Sequence, residues 1–486
     1  MLAPAESDRS RFPLILTIAF AALAGIGLAC HEMWRDELQA WLIPLDSGSP
    51  AELFHNLRYE GHPALWHILL WIVTRVTRRP EAMQVLHLAI SAAAVFLFAR
   101  YAPFSRPVRA LFAFGYYPFY EYTVISRNYG LGMLLLFAAC ALFPTRRRSY
   151  LPLAGVLALL ANANPYAWLI AAAFAGTLAL ETLGDRELRR RDAALGLLLF
   201  AAAAAVAAAQ MIPPPDGGYA SAWHLDWRAP RGFRVLATVA RAWLPVPDPA
   251  QPNPWNSNLL FHLRNSAVAI LAAALIAMAV AALRRSRTAL ILFLGGSAAL
   301  LGFSYLKYLG YARHYGAHFL LLIACLWIAD RRRGDRGDKL LALLLGLHVV
   351  AGAWLWTADL RNPFSAARDT AVYLKDQKAF VIGYPDMYAT PVAGYLGRPL
   401  FYLESRRPGT YVLWNEERTG RVGFREICRI VRRQLRQHPE GILMVVNRSA
   451  PVCGARMKPE ELASFQDALL PEERFRVYRI RMLPAP

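Results

Sequence analysis

The sequence predicts an α-helical polytopic membrane protein with a small α/β domain at its C-terminal end. Three observations carry that prediction. First, the chain is oily: of 486 residues, 56% are hydrophobic and only 18% charged, with a mean hydropathy of +0.28. A soluble domain carries about 25% charged residues. Second, the apolar residues gather in runs approaching the roughly 20 residues that a bilayer crossing needs. Third, from about residue 364 Ala-rich runs give way to mixed charge and short alternating stretches. The same counts exclude a disordered chain and, with 5 Cys, a disulfide scaffold.

A net charge of +20 and a pI near 10.1 raise nucleic acid as a partner, but the placement of the charge argues against it. Clusters at Arg100/Arg106/Arg109, Arg146 to Arg148, Arg189 to Arg191, Arg284/Arg285/Arg287 and Arg331 to Arg333 lie between apolar runs. The positive-inside rule puts such clusters in short cytoplasmic loops. The first run, Pro13 to Cys30, is longer than a signal-peptide core, and Gly27-Leu28-Ala29 ahead of Cys30 fails a lipoprotein cleavage pattern, which wants a branched aliphatic three residues before the Cys. It reads as an uncleaved span leading from inside to outside. Further spans are expected at 81–101, 107–125, 129–143, 150–163, 165–182, 193–212, 262–283, 288–306, 315–330 and 339–357, about eleven in all. An odd count with a cytoplasmic N-terminus puts every Arg cluster inside. The loops 31–80, 126–128, 213–261 and 307–314, and the tail, then lie outside. The short run Ala64 to Val76 would break this parity if it crossed, so it is read as re-entrant or interfacial.

The first outer loop is the most informative segment. On a helical wheel at about 100° per residue, Trp34, Leu38, Trp41 and Leu42 form one apolar stripe, expected to lie in the membrane interface with Trp anchors. Asp36 projects opposite that stripe, into water or a protein cavity, and Glu37 lies nearer its edge. A second amphipathic stretch through Leu53, Phe54 and Leu57 leads to Glu60-Gly61-His62-Pro63, which opens the next helix. Two interfacial helices capping the outer face would make a lidded pocket at headgroup level.

Ionisable residues at membrane depth are costly and usually functional. Glu121 and Arg127 interrupt what would be the third and fourth spans, about 9 Å apart along a helix. Arg127 falls at the outer end, where its planar guanidinium suits a phosphate; a structural ion pair or an outward-snorkelling Arg is the alternative. The late loop brings Tyr305, Lys307, Tyr308, Tyr311, Arg313, His314, Tyr315 and His318 to a headgroup boundary. An aromatic belt explains the tyrosines; Lys307 and Arg313 suit a lipid phosphate better. In the middle loop, Trp223-His224-Leu225-Asp226-Trp227 fits either a sugar platform or a packed cap. No metal motif is present: His62 and His67 diverge by roughly 140° on a helix.

In the tail, Ala379 to Tyr384, Leu400 to Leu403, Tyr411 to Trp414 and Ile442 to Val446 read as short buried strands, with helices at 422–437 and 459–470. Residues 364–486 thus form an extracytoplasmic α/β domain beside a membrane domain of 1–363. It lacks a Gly-rich phosphate loop, and Cys428 and Cys453 are either paired or free.

With these features in place, the chain resembles the C-type glycosyltransferase superfamily, and within it the protein O-mannosyltransferase and lipid A aminoarabinose transferase branch. The resemblance rests on Asp36-Glu37 after the first span and on the His-Pro-x-Leu stretch His62 to Leu65. It rests also on Ser126 to Tyr129, similar to the family's small-x-Arg-x-Tyr pattern, and on a multi-span body ending in an extracytoplasmic domain. It implies an enzyme of the bacterial cytoplasmic membrane that moves a sugar from a polyprenyl-phosphate donor to an extracytoplasmic acceptor, with inversion. By carry-over Asp36 is the general base and Glu37 orients the acceptor or a neighbouring cation. Arg127, with Lys307 or Arg313, receives the donor phosphate. His62, Glu121, Tyr129 and His314 are candidates for the substrate pocket. Two departures stand out: Pro63-Ala64 replaces the paired prolines common in the family, and Asn128 stands where some members hold an acidic metal ligand. A divalent cation therefore stays open as a cofactor. The alternatives are a carrier of lipid-linked substrates and a non-catalytic envelope-assembly protein.

Overall fold

A computed structural model describes residues 8–184, 190–218, 223–251, 253–329, 335–418, 420, 422–454 and 457–482. Arg189 and the Arg331 to Arg333 cluster lie outside the described residues. The helical body begins with α1 (Phe12–Cys30), followed in the first loop by α2 (Arg35–Leu45), α3 (Pro50–Leu57) and α4 (Leu65–Thr74). It continues through α5 (Glu81–Tyr101), α6 (Arg106–Ala113), α7 (Tyr129–Leu142), α8 (Leu151–Ala161) and α9 (Pro165–Gly184). Then come α10 (Arg190–Met211), α11 (Ala229–Trp243), α12 (Asn265–Leu283), α13 (Arg287–Leu306), α14 (Ala312–Ile328) and α15 (Asp335–Arg361). Among the described residues, eight helices are long and apolar enough to cross a membrane: α1, α5, α7 with its continuation to Arg147, α9, α10, α12, α13 and α15. The expected spans at 150–163 and 315–330 fall on the shorter α8 and α14.

Helix ends collect at two opposite ends of the bundle. At one, Asp8 pairs with Arg106 (3.1 Å) and Arg109 (3.3 Å), and Glu181 takes a forked bond from Arg146 (2.8 and 2.7 Å) and one from Thr288. At the other, His31 meets Asp359, and the His224 N–H donates to the Leu306 carbonyl. α4 stays at this second end. The Ala64 N–H donates to Gln210 (2.8 Å), the Trp71 indole to the Ser47 carbonyl (2.9 Å) and Arg75 to the Pro44 carbonyl (3.2 Å).

The expected single span at 107–125 is instead α6 followed by a π-helix, Tyr116–Val124. Gly115 is extended, and Pro118 has no N–H to continue an α-helical ladder. Carbonyls freed by the wide turn are taken up from α5: His87 Nδ1 donates to the Thr123 carbonyl (3.0 Å) and the Ser91 hydroxyl to that of Tyr122 (3.0 Å). Gly130 makes this approach possible, since a Cβ there would stand 2.6 Å from His87 Nε2 and 2.7 Å from the Tyr122 carbonyl oxygen. Past the break Ile125, Ser126 and Asn128 stay buried, and Arg127 reaches the Asp36 carboxylate of α2.

The C-terminal region holds α16 (Ala367–Lys375), α17 (Asp386–Leu396), α18 (Phe424–Gln437) and six strands: β1 (Phe380–Tyr384), β2 (Leu400–Tyr402), β3 (Arg407–Gly409), β4 (Ile442–Val446), β5 (Pro459–Phe465) and β6 (Phe475–Ile480). They form one sheet in the order β3-β2-β1-β4-β6-β5. β1 is parallel to β2 and β4, and the other pairings are antiparallel. Two expectations fail here. The helix expected at 459–470 is strand β5, because pairing with β6 overrides the local preference of Glu, Leu and Ala. Tyr411 to Trp414 is no strand: Val412 spends its N–H and carbonyl on the Gln39 side chain of α2 (3.0 and 2.7 Å). Cys428 and Cys453 form a disulfide.

This region docks on the first loop. Gly394 of α17 lets Leu38 and Leu42 approach to within 3.3 Å of where a Cβ would stand. The Tyr395 hydroxyl accepts the Met33 N–H (2.7 Å), and the buried Glu473 carboxyl accepts that of Arg35 (3.0 Å). The stripe Trp34, Leu38, Trp41 and Leu42, expected at the lipid interface, is accordingly buried in protein. A dry helical face has the same sequence whether lipid or protein covers it.

Candidate functional site

Asp36 lies in the first turn of α2, on the face turned away from the buried stripe. Its carboxylate sits among three guanidiniums: Arg313 at 3.1 Å, Arg35 at 3.5 Å and Arg127 at 3.6 Å, with Arg127 also donating to the Asp36 backbone carbonyl. The side chain is 26% exposed. Burial works against its charge, but Arg127, Arg313 and Arg35 outweigh burial and hold it below the usual carboxylate range. Arg313 is wedged against the rings of Tyr311, Trp34 and Trp255 (5.3, 5.4 and 5.8 Å), which fixes the plane of its guanidinium.

Glu37 points a different way. It is wholly buried and accepts from His31 Nε2 (2.9 Å), the Trp34 N–H (3.2 Å) and the Ser126 N–H (2.6 Å). His31 Nδ1 in turn meets Asp359 (2.8 Å), which also accepts from Tyr120 (3.1 Å). Burial disfavours the imidazolium, yet Asp359 and Glu37 overcome it and raise His31 to about 10. Glu37 thus pairs with His31, and through Ser126 the same carboxylate holds the segment carrying Arg127.

The other sequence candidates divide. His62 and Asp36 feel each other's charge, and burial followed by Arg127 pushes the imidazole down to about 4, leaving it neutral. Tyr129 stacks on Tyr122 (5.4 Å) beside His314, whose Nδ1 accepts the Tyr311 N–H (2.8 Å). Glu121 is buried behind the site, accepting from Tyr116 (2.6 Å) and from the Trp255 indole (2.9 Å). Lys307 is found over the ring of Trp223 (4.8 Å), tying the late loop to the middle one. In the middle loop Trp223 and Trp227 are exposed, and Trp227 stacks on Tyr305 (5.2 Å).

Four residues escaped the sequence reading. Arg35, His31 and Asp359 were visible as charged or titratable groups flanking apolar spans. Glu60 stood in the quoted stretch ahead of His62. It accepts from the Gln39 amide (2.9 Å), and burial, then the Asp36 charge, push it up to about 7 against the pull of Gln39 and Arg127.

Arg313 also lines a small cavity, of about 30 Å³, between α7, α8, α9 and α14. Its lining is polar at Arg313, His314, Tyr129 and Asn164 and apolar at Leu136, Leu160, Ile170 and Leu320. Among the described residues no three His, Cys, Asp or Glu side chains are grouped to hold a metal. The donor set does not suit a divalent ion, since guanidiniums occupy the sides of Asp36 that a cation would approach. Comparison with models of known protein families, with characterised proteins and with solved structures gives no match to this chain.

Proposed function

We propose that the protein is an integral membrane glycosyltransferase, transferring a sugar from a polyprenyl-phosphate donor to an extracytoplasmic acceptor. One observation carries the reading: a carboxylate ringed by guanidiniums, one of which, Arg313, also lines a small and largely apolar cavity inside a helical bundle. That combination matches a ligand that is an anion at one end and a hydrocarbon at the other. Apolar side chains exposed on the outer faces of long helices, among them Ile15, Leu198, Ile270 and Leu343, suit a bilayer. Helix ends gathered at two opposite levels support about eleven crossings, with the broken α6–π-helix stretch as one of them. The disulfide supports an oxidising, extracytoplasmic side for the C-terminal domain.

In the proposed reaction the donor phosphate displaces Asp36 from Arg127 and Arg313. The acceptor oxygen attacks the anomeric carbon, and the bond from that carbon to the phosphate oxygen breaks. The leaving polyprenyl phosphate takes the electron pair, stabilised by the two guanidiniums. The acceptor proton passes to Asp36, which is more basic once its cations face the phosphate. Configuration inverts, because attack and departure occupy opposite faces. Trp34 and Trp255 hold Arg313 in place throughout.

The test is transfer by the full chain reconstituted in vesicles, given a panel of polyprenyl-phosphate sugars and envelope-derived acceptors. Donor consumption with release of polyprenyl phosphate and an inverted product is expected for one member. A panel left intact under conditions where the protein is folded and inserted overturns the reading.

A further inference from the structure

The sheet of the C-terminal region carries helices on both faces. Leu443 and Val445 of β4 pack with α16 and α17, while Ile442, Met444 and Val446 pack with α18. Gly394 of α17 is where the region meets Leu38 and Leu42 of α2. The order is therefore α2, α17, sheet, α18, and α18 lies on the side of the sheet away from the bundle. Its apolar face, through Ile427, Ile430, Val431 and Leu435, is buried against the strands, and Cys428 is bridged to Cys453. The opposite face is a line of arginines: Arg425, Arg429, Arg432, Arg433 and Arg436, all exposed. Spaced i, i+4, i+7, i+8 and i+11, they run about 16 Å along the helix.

Such a stripe works against the helix that bears it. Like charges three and four positions apart destabilise a helix, and Arg425 sits in the first turn, where the helix dipole disfavours a cation. α18 carries a single carboxylate, Glu426, and it is held between Arg429 and Arg406, the latter at 3.4 Å. Among the described residues, none of Arg425, Arg432, Arg433 and Arg436 pairs with a carboxylate. Elsewhere in the region the signs are mixed. Arg368, Asp369 and Lys375 share α16, and Arg476 of β6 meets Glu461 of β5 (3.7 Å). The sheet and the disulfide hold α18 in place against its own repulsion.

We infer that the outer face of α18 is a docking surface for a linear polyanion: an acidic glycan with a carboxylate or phosphate recurring along its chain. A line of five guanidiniums fits a row of charges better than one small anion, and each planar fork takes a carboxylate or phosphate through two hydrogen bonds. The helix is a rigid support. A stiff chain of pyranose rings presents its charges to it at little ordering cost, whereas an acidic peptide must freeze its side chains to do the same. The protein's own bilayer is the poorer match, because the sheet, α16 and α17 stand between α18 and the bundle. The surface goes beyond the transferase reading, since it lies apart from Asp36 and needs no reaction. Holding the acceptor polymer is a further role, and that role rests on the function proposed above.

The test is calorimetric titration of the full chain in phosphatidylcholine nanodiscs. The probes are oligomers of polygalacturonate and phosphomannan, neutral dextran of the same length, polyglutamate of the same charge, and phosphatidylglycerol vesicles. At least one acidic glycan is expected to bind about tenfold more tightly than dextran, and more tightly than polyglutamate or the vesicles. Arg432→Glu with Arg433→Glu removes that preference. The pair turns repelling neighbours of Arg429 and Arg436 into attracting ones, so the melting temperature should not fall. Arg425→Gln with Arg436→Gln, at the two ends of the stripe, weakens binding by a second route. Arg78→Glu with Arg79→Glu changes net charge equally at exposed positions outside α18 and leaves binding unchanged. Acidic glycans that bind no better than dextran overturn the proposal, as does binding retained in both α18 variants or lost equally in the Arg78 and Arg79 variant. Polyglutamate binding as tightly overturns the glycan assignment, and tighter capture by the vesicles through α18 makes the face a membrane contact instead. If a glycan binds and transfer fails, the surface stands and the transferase reading goes; if transfer holds and no glycan binds, only the surface goes.

Discussion

Replacing Asp36 by Asn separates the two tasks assigned to the cluster. The substitution keeps size and shape but removes the charge and the proton acceptor. Loss of a positioned general base costs about 10²–10⁴-fold in turnover, or roughly 3–5 kcal/mol of transition-state stabilisation. Donor binding should move the other way. At 3.1 Å from Asp36, Arg313 feels a gross attraction of about 5 kcal/mol at an effective dielectric constant of 20. A donor phosphate must compete with that attraction, at a site 26% exposed and hence partly screened. Without it, the donor should bind about tenfold more tightly. The assay is transfer kinetics with saturating acceptor, alongside direct binding of a non-transferable donor analogue, at equal membrane insertion. Turnover within tenfold of the parent would refute the role of Asp36 as base. A donor that binds more weakly to the Asn variant would refute the claim that Asp36 and the phosphate compete for the same guanidiniums.

Arg313→Lys should lower kcat/KM by about 10–100-fold, mostly through the donor KM, because a lysine cannot fill the slot between Trp34, Trp255 and Tyr311 as a planar fork does; unchanged donor affinity would remove Arg313 from the phosphate site. Glu60 titrates near 7, and its ionised form competes with phosphate for Arg127. The donor KM should therefore rise between pH 6 and 8, and Glu60→Gln should flatten the profile; a profile that keeps its shape would rule Glu60 out. His31→Gln leaves Glu37 and Asp359 buried without their cation and should cost about 3–5 kcal/mol in thermal unfolding of the detergent-solubilised protein. The folded pKa of His31, about 10, lies above the ordinary 6.5. Its stabilisation is thus complete below pH 6.5 and lost as pH rises towards 10, so the parent should lose that increment of melting temperature and the variant should not. Parallel curves for the two proteins would show that His31 is not the buried cation.

Much of the architecture follows from hydropathy alone. The long spans, the placement of α4 outside the alternating run and the α/β character of the tail all come from the length, period and composition of apolar stretches. Asp36, Arg127 and Arg313 were legible because ionisable groups beside apolar runs are too costly to be casual. What sequence could not give was which groups meet. Asp36 and Arg313 are 277 positions apart, and no periodicity reports a contact across that distance. Glu37 differs from Asp36 by one helical step, yet that step turns it from the cationic cluster into a buried network with His31. The stripe through Trp34 and Trp41 declared itself dry, but only the packed structure shows that α17 and the bundle, rather than lipid, cover it. Likewise β5 carries helix-forming residues and becomes a strand because β6 offers it an edge. Local sequence determines which groups must leave water; tertiary packing decides what they meet when they do, because burial is set by distance in space and not along the chain.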